Sequence, residues 1–431
     1  MTSTWLANTI LILSLIVSLW AYVFVSRKEG SYFNVLTPTF LTAIPAYYLL
    51  PLFFSLIFGT DATAYAYAYV YATLAVQNVV FAWVYTHPTK SLIRLPFLYS
   101  FNNFAGLAFF FVAVAVLLYV PVILQFPEYL LDPREIYRHT RTGFGLNYYT
   151  SSTFAYLAVV LILFSKRSRL TKVFVILAAA GVLILHGSKG QVLALVLLVA
   201  LFFVYVNRYK LQFLPSLVAV TVLGFFVLAL LAATMALGDS PTDALESIST
   251  YSDYTRNAML VIDSHFPVQY GKLTLESQVI GRIPRALMPS KPKNYGALYL
   301  DDEFFPQSLD EDAGSPDFGI GVQYADFGIF AIIYLALFEA FRGWMARTFK
   351  ERLALSRHPA DFFLLAFAAN IQLIPVGGIG WLLPEALVIA LFLRVASGIG
   401  ATTLCREQIR PKRTLTKTAQ SGVWEVGEGR T

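Results

Sequence analysis

AYAYAYVYATLAVQNVVFAW, residues 64–83, decides the fold class. Its opening alternates alanine and tyrosine, the period of a β-strand. A membrane-spanning strand needs only about ten residues, and a barrel repeats such segments along its length. Here the tract runs on through VQNVVFAW without a turn, so the whole becomes one apolar segment of helical length. Its tyrosines crowd the start, where an interfacial aromatic belt belongs.

Similar segments recur to either side, and no barrel-like series of alternating decapeptides accompanies them. The chain is 57% hydrophobic and 13% charged, with mean hydropathy +0.63, which excludes an ordinary soluble globule. Inside lipid every backbone polar group needs a partner within its own segment, so the expectation is helices. Spans are predicted near 4–25, 35–58, 64–86, 104–126, 150–165, 171–186, 191–207, 212–237, 316–341, 360–377 and 380–397. The fold class is therefore all-α, a polytopic transmembrane helical bundle of about 11 spans. Residues 1–397 form one transmembrane domain that includes two long loops, 127–149 and 238–315, and residues 398–431 form a flexible cytoplasmic tail. The N-terminal segment lacks the basic start of a signal peptide and reads as a retained first helix.

Charge orients the bundle. Arg27 and Lys28 follow the first span, Lys90 and Arg94 the third, and Lys166, Arg167 and Arg169 the fifth. Arg208 and Lys210, then Arg342 to Arg357, then Arg406 to Lys417 complete a set that falls on one side when spans alternate. Positive charge resists translocation, so that side is the cytoplasm and both long loops face outward. The net charge of +6 follows from this pattern and implies no nucleic-acid partner.

The outward loops nevertheless carry basic residues of their own. GRIPRALMPSKPK, residues 281–293, holds Arg282, Arg285, Lys291 and Lys293. Arg256 lies upstream, Arg138 and Arg141 lie in the first loop, and Lys189 sits in the glycine-bracketed turn GSKGQ, 187–191. Guanidinium groups grip phosphate oxygens two at a time and lysine adds a point charge, so the set predicts a pyrophosphate held at the outer membrane surface. The competing reading is that single side chains snorkel to lipid headgroups. Acidic candidates for deprotonating an attacking sugar hydroxyl are Asp317 and Asp326, at the outer end of the ninth span. The acidic run 301–312 reads as a solvated face, and Glu385, in the outer part of the last span, as either functional or packed on a polar neighbour. His186 and His265 lack partners at metal-ligand spacing, Cys405 is the lone cysteine, and neither HExxH nor a P-loop is present. No metal and no cofactor is expected. Without a nucleotide site, an outward-facing transferase needs a preactivated lipid diphosphate sugar.

These features together resemble the Wzy-type polymerases of bacterial O-antigen and exopolysaccharide repeat units. The resemblance rests on GSKGQ, on the arginine of Tyr254-Thr255-Arg256-Asn257, on IPRALMPSKP in the long loop and on QYADFGIFA at 323–331. It implies a C-type glycosyltransferase-like enzyme of the inner membrane that needs no metal. Such an enzyme transfers a growing glycan from undecaprenyl pyrophosphate onto a newly flipped lipid-linked repeat unit. A chain-length regulator and a flippase are the protein partners it implies. Residue by residue it points to Lys189 where the family often has arginine, to Arg282 or Arg285 with Lys291, and to Asp326. The rivals are an O-antigen ligase, for which His265 is the nearest counterpart of the expected loop histidine, and a transporter or flippase. A transporter tends to show internal repeats and buried midplane charges, which the sequence lacks.

Overall fold

The computed structural model describes residues 4–87, 104–130, 136, 144–212, 253–283, 287–292, 294–306, 316–374 and 383–398. Its helices, in chain order, are α1 (Thr4–Glu29), α2 (Thr37–Phe58), α3 (Ala64–Thr86), α4 (Phe104–Gln125), α5 (Gly145–Phe164), α6 (Arg169–Leu185) and α7 (Lys189–Tyr205). After these come α8 (Asp253–Asp263), α9 (Lys272–Val279), α10 (Leu298–Phe304), α11 (Gly321–Phe327), α12 (Ala331–Ser356), α13 (Pro359–Ala368) and α14 (Leu383–Gly398). Among the described residues there is no strand.

The alternating tract is the start of α3. On a helix its tyrosines resolve into two i, i+4 ladders, Tyr65–Tyr69 with ring centroids 6.2 Å apart and Tyr67–Tyr71 at 5.8 Å. Tyr67 and Tyr71 are buried, and the Tyr69 hydroxyl accepts from the Ile332 amide of α12 at 3.0 Å. Along α1, by contrast, Trp5, Leu13, Ile16 and Trp20 are all more than half exposed. An apolar face that wide facing outward is what lipid contact leaves.

Two layers of packing hold the bundle together. α3 lies between α1 and α12, and α4 pairs with α5, which passes the chain to α6. Gly343 lets α12 close on α3, since a Cβ there would lie 2.8 Å from the Phe81 carbonyl oxygen. At one end of the bundle, here the basic end, Lys350 pairs with Glu29, and Tyr85 donates to the same carboxylate at 2.6 Å. Arg352 and Arg394 converge on the fully buried Asp361 at 3.1 and 2.5 Å, joining α12, α13 and α14. Buried carboxylates of this kind persist because removing either partner strands a charge in low dielectric. The opposite end carries α8 to α11 and is the loop end.

Six helical segments are long and apolar enough to cross a membrane by length and composition: α1, α2, α3, α4, α5 and the run Gly321–Ser356. Several expected spans differ. The tenth, 360–377, is a helix of 10 residues, α13, which reaches only about 15 Å at 1.5 Å per residue. It stops because Asn370 adopts φ +64° and Ile371 N–H bonds back to the Ala366 carbonyl, an αL-type helix end that asparagine tolerates. The ninth, 316–341, starts only at Gly321, breaks at Gly328 (φ +57°) and then runs on to Ser356. The second is interrupted by a π-helical turn, Ile44–Leu49, which contains Pro45 and is followed by Pro51. The eighth, 212–237, and the tail 398–431 fall outside the described residues apart from their first residues.

Candidate functional site

At the loop end, α8 (DYTRNAMLVID) buries Thr255, Asn257, Ala258, Met259, Val261 and Ile262 and leaves Arg256 exposed. It packs on α3, α11 and the π turn of α2. A side-chain clamp fixes its far end: Asp263 accepts from the Thr63 amide at 2.8 Å and from the Thr63 hydroxyl at 2.5 Å, while Thr63 caps α3.

The turn 317–321 approaches α8 so closely that only glycine fits. Gly319 has φ +50°, and a Cβ there would sit 2.7 Å from the Tyr254 carbonyl oxygen; at Gly321 it would sit 2.8 Å from Ala258 Cα. This approach places Asp317 beside Tyr254 of α8 and Tyr47 of α2, whose rings meet edge-on at 5.5 Å. Asn257 Nδ2 donates to the Asp317 carbonyl at 3.0 Å, and the Gly319 amide donates to Asp317 Oδ1 at 2.8 Å. Asp317 Oδ2 accepts no hydrogen bond among the described residues, and the residue keeps solvent-accessible surface. Crowding by protein atoms pushes its pKa above the usual carboxylate value, and the Gly319 amide pulls partly back. A carboxylate with one anchored and one open oxygen, its proton affinity raised, has the form of a general base.

Arg256 lies two residues after Tyr254 on α8. It pairs with Asp253 at 3.4 Å, and its own side chain is largely exposed, so the guanidinium is held loosely. Burial raises the Asp253 pKa and the Arg256 charge opposes that shift.

The other expected site residues have different surroundings. Asp326 is fully buried, and its Oδ1 and Oδ2 accept from the Leu273 and Thr274 amides at 2.8 and 2.7 Å. It therefore caps α9, which has no side-chain cap of its own, from across the fold. Both oxygens of this candidate base are thus held by backbone amides at the start of α9. Asp326→Ala leaves the buried Leu273 amide and the part-buried Thr274 amide unpaired, at up to about 1–3 kcal/mol each. A lower melting temperature in detergent is the expected reading, and an unchanged one would count against the cap.

Lys291, expected as a phosphate ligand, is held within its own loop. Its ammonium donates to the Ile283 carbonyl at 2.9 Å and more weakly to that of Gly281, and it lies 4.6 Å from the Tyr295 ring centroid. Only 9% exposed, it pins the basic loop to itself. Arg282 points outward to Glu385 of α14, with Nε 2.5 Å from Oε1 and a second contact of 3.3 Å. That pair ties the loop after α9 to the last helix, and it is the polar neighbour that Glu385 needs. Lys189 is the first residue of α7; its side chain lies outside what the structure describes, as do Arg138, Arg141 and Arg285. The turn before α7 is built by His186, fully buried between the Tyr119 and Tyr148 rings. Its Nδ1 meets Gln191 Oε1 at 3.0 Å and its Nε2 meets Ser151 Oγ at 3.2 Å. The partners of this histidine are an amide and a hydroxyl. Tyr47 carries no linear signal beyond its place between Pro45 and Pro51.

The class defined by these features is a multi-pass helical membrane protein with a folded segment at one end that displays a carboxylate and arginines. The chain is 34% identical over 396 residues to an O-antigen polymerase of Salmonella typhimurium (strain LT2), covering 89% of this chain and 94% of that relative. An O-antigen polymerase of Salmonella typhi matches to the same extent. The chain belongs to the O-antigen polymerase family. No family model matches it, and no solved structure matches it.

Proposed function

We propose that the chain joins lipid-linked oligosaccharide repeat units into O-antigen, as a glycosyltransferase that works at the periplasmic face of the bacterial inner membrane. The observation that carries this reading is the alignment with O-antigen polymerases along nearly the whole chain. The agreement of the basic groups on one side supports the orientation, and the apolar segments support a bundle of about 11 spans.

In this mechanism an acceptor sugar hydroxyl attacks the anomeric carbon of the donor glycan. Asp317 Oδ2 takes the hydroxyl proton as the new C–O bond forms. The bond from the anomeric carbon to the pyrophosphate oxygen breaks, and the lipid pyrophosphate leaves with the electron pair. Arg256 and Arg282 neutralise the charge that grows on the leaving group, with Arg285, Lys189, Arg138 and Arg141 as further ligands. Lys291 and Asp326 hold the loop and α9 in shape. The donor and acceptor are undecaprenyl pyrophosphate-linked glycans, and a flippase and a chain-length regulator work alongside.

Metal independence is part of the proposal. Among the described residues no three His, Cys, Asp or Glu side chains gather as a ligand set. Purified protein given lipid pyrophosphate-linked repeat units in chelator is expected to make a polymer ladder and release lipid pyrophosphate. A requirement for added divalent metal would refute metal independence. Transfer to a lipid A-core acceptor without self-polymerisation would overturn the polymerase assignment.

A further inference from the structure

The geometry points to a sugar-binding platform, formed by Tyr47 and Tyr254 beside Asp317, that holds the terminal sugar of the acceptor. This rests on the proposed role of Asp317, and it adds a subsite with its own ligand chemistry.

Tyrosines near a membrane surface ordinarily anchor a helix among headgroups. Tyr47 and Tyr254 do something else. Tyr254 belongs to α8, which is not a membrane span, and Tyr47 turns toward α8 instead of outward. The next residue, Tyr48, accounts for the packing of that turn: it is 1% exposed, and its hydroxyl meets Ser18 Oγ at 2.9 Å. Tyr47 and Tyr254 are half-buried, and the Tyr47 hydroxyl has no hydrogen-bond partner among the described residues.

The turn that carries Tyr47 is π-helical, Ile44–Leu49. Such turns sacrifice regular hydrogen bonding and recur where a helix must re-aim a side chain for function. Here the re-aimed side chain is the one brought to Tyr254 and Asp317.

Two aromatic rings next to an open carboxylate oxygen match a pyranose. Ring faces carry negative charge density and attract the apolar C–H face of a sugar, while the Tyr47 hydroxyl serves its polar rim. A sugar seated there presents its hydroxyl to Asp317 Oδ2. The group from which Asp317 takes a proton belongs to the acceptor, so the platform holds the acceptor's non-reducing terminal sugar. The donor's pyrophosphate end falls to the arginines.

The test uses full-length protein in proteoliposomes, with saturating lipid-linked donor and a water-soluble short-prenyl pyrophosphate repeat unit as the varied acceptor. Tyr47→Leu and Tyr254→Leu are each expected to raise the acceptor KM about tenfold and leave the donor KM unchanged. Tyr254→Phe, which keeps the ring, should stay within about threefold of wild type. Melting temperatures in detergent identify any variant that fails to fold, and the Phe variants then carry the comparison through Tyr47→Phe, where loss of the unpaired hydroxyl alone should raise the acceptor KM.

A second measurement needs no catalysis. Saturation-transfer NMR with the free oligosaccharide released by mild acid from the strain's lipid-linked repeat unit should show contacts to the terminal sugar. The signal is expected in wild type and in Asp317→Asn, and not in Tyr254→Leu. An unchanged acceptor KM in both folded Leu variants, a rise in donor KM instead, or an undiminished transfer signal would each overturn the platform. Should Asp317→Asn polymerise at the wild-type rate while Tyr254→Leu loses the signal, the base assignment fails and the platform stands.

Discussion

Replacing Asp317 with asparagine is expected to slow polymerisation by about 10²–10⁴-fold, the usual contribution of a positioned general base. Asparagine is nearly isosteric, and its side-chain carbonyl can still accept from the Gly319 amide, so the 317–321 turn and its seat on α8 should survive. Membrane abundance and melting temperature are the controls, and both should match wild type. The pH profile supplies a second reading. A base works deprotonated, so the rate falls as pH drops through its pKa. Crowding by protein atoms raises that pKa, which moves the acid limb of kcat/KM upward from where an unperturbed aspartate would put it. An Asp317→Asn variant with wild-type rate and an unaltered acid limb would remove Asp317 from the chemistry.

Arg282→Ala is expected to lower the rate by roughly ten- to a hundredfold, the effect of one charge-assisted hydrogen bond of about 1.5–3 kcal/mol to the departing pyrophosphate. The pair with Glu385 makes this residue harder to interpret, because a loss could come from freeing the loop from α14. Both members are about one-third exposed, so the pair itself stabilises by no more than about 1 kcal/mol. Exchanging them, Arg282→Glu with Glu385→Arg, should restore the melting temperature and leave polymerisation defective. Glu385→Gln should have a much smaller effect on rate than Arg282→Ala, since the arginine remains available to the phosphate. Recovery of activity in the exchanged variant would reduce Arg282 to a strut.

The contrast between these two residues and the others in the basic and acidic sets is physical. Asp317 and Asp326 lie nine positions apart in similar apolar surroundings, and nothing local separates an open carboxylate from a capping one. The distinction arises because α9 begins against Asp326 and presents two amides to it, while Gly319 holds only one oxygen of Asp317. Lys291 and Arg282 divide in the same way. The lysine finds carbonyls within its own loop and the arginine reaches a different helix.

Helicity and immersion in lipid were legible in the chain itself, because solvation of the backbone in hydrocarbon leaves few alternatives and acts on every twenty-residue window independently. The proposed sidedness rests on signals of the same local kind, each basic cluster resisting translocation of its own flank. The arginines and acids of the loop were visible as chemical types for the same reason. Where α13 stops, which tyrosines face Asp317 and which carboxylate stays open depend on contacts between segments far apart in sequence. Tyr47 and Tyr254 are the plainest instance: a π turn in one helix and two glycines in a distant turn must both be in place before they meet. No window of sequence contains that meeting, because steric fit between separate segments selects it.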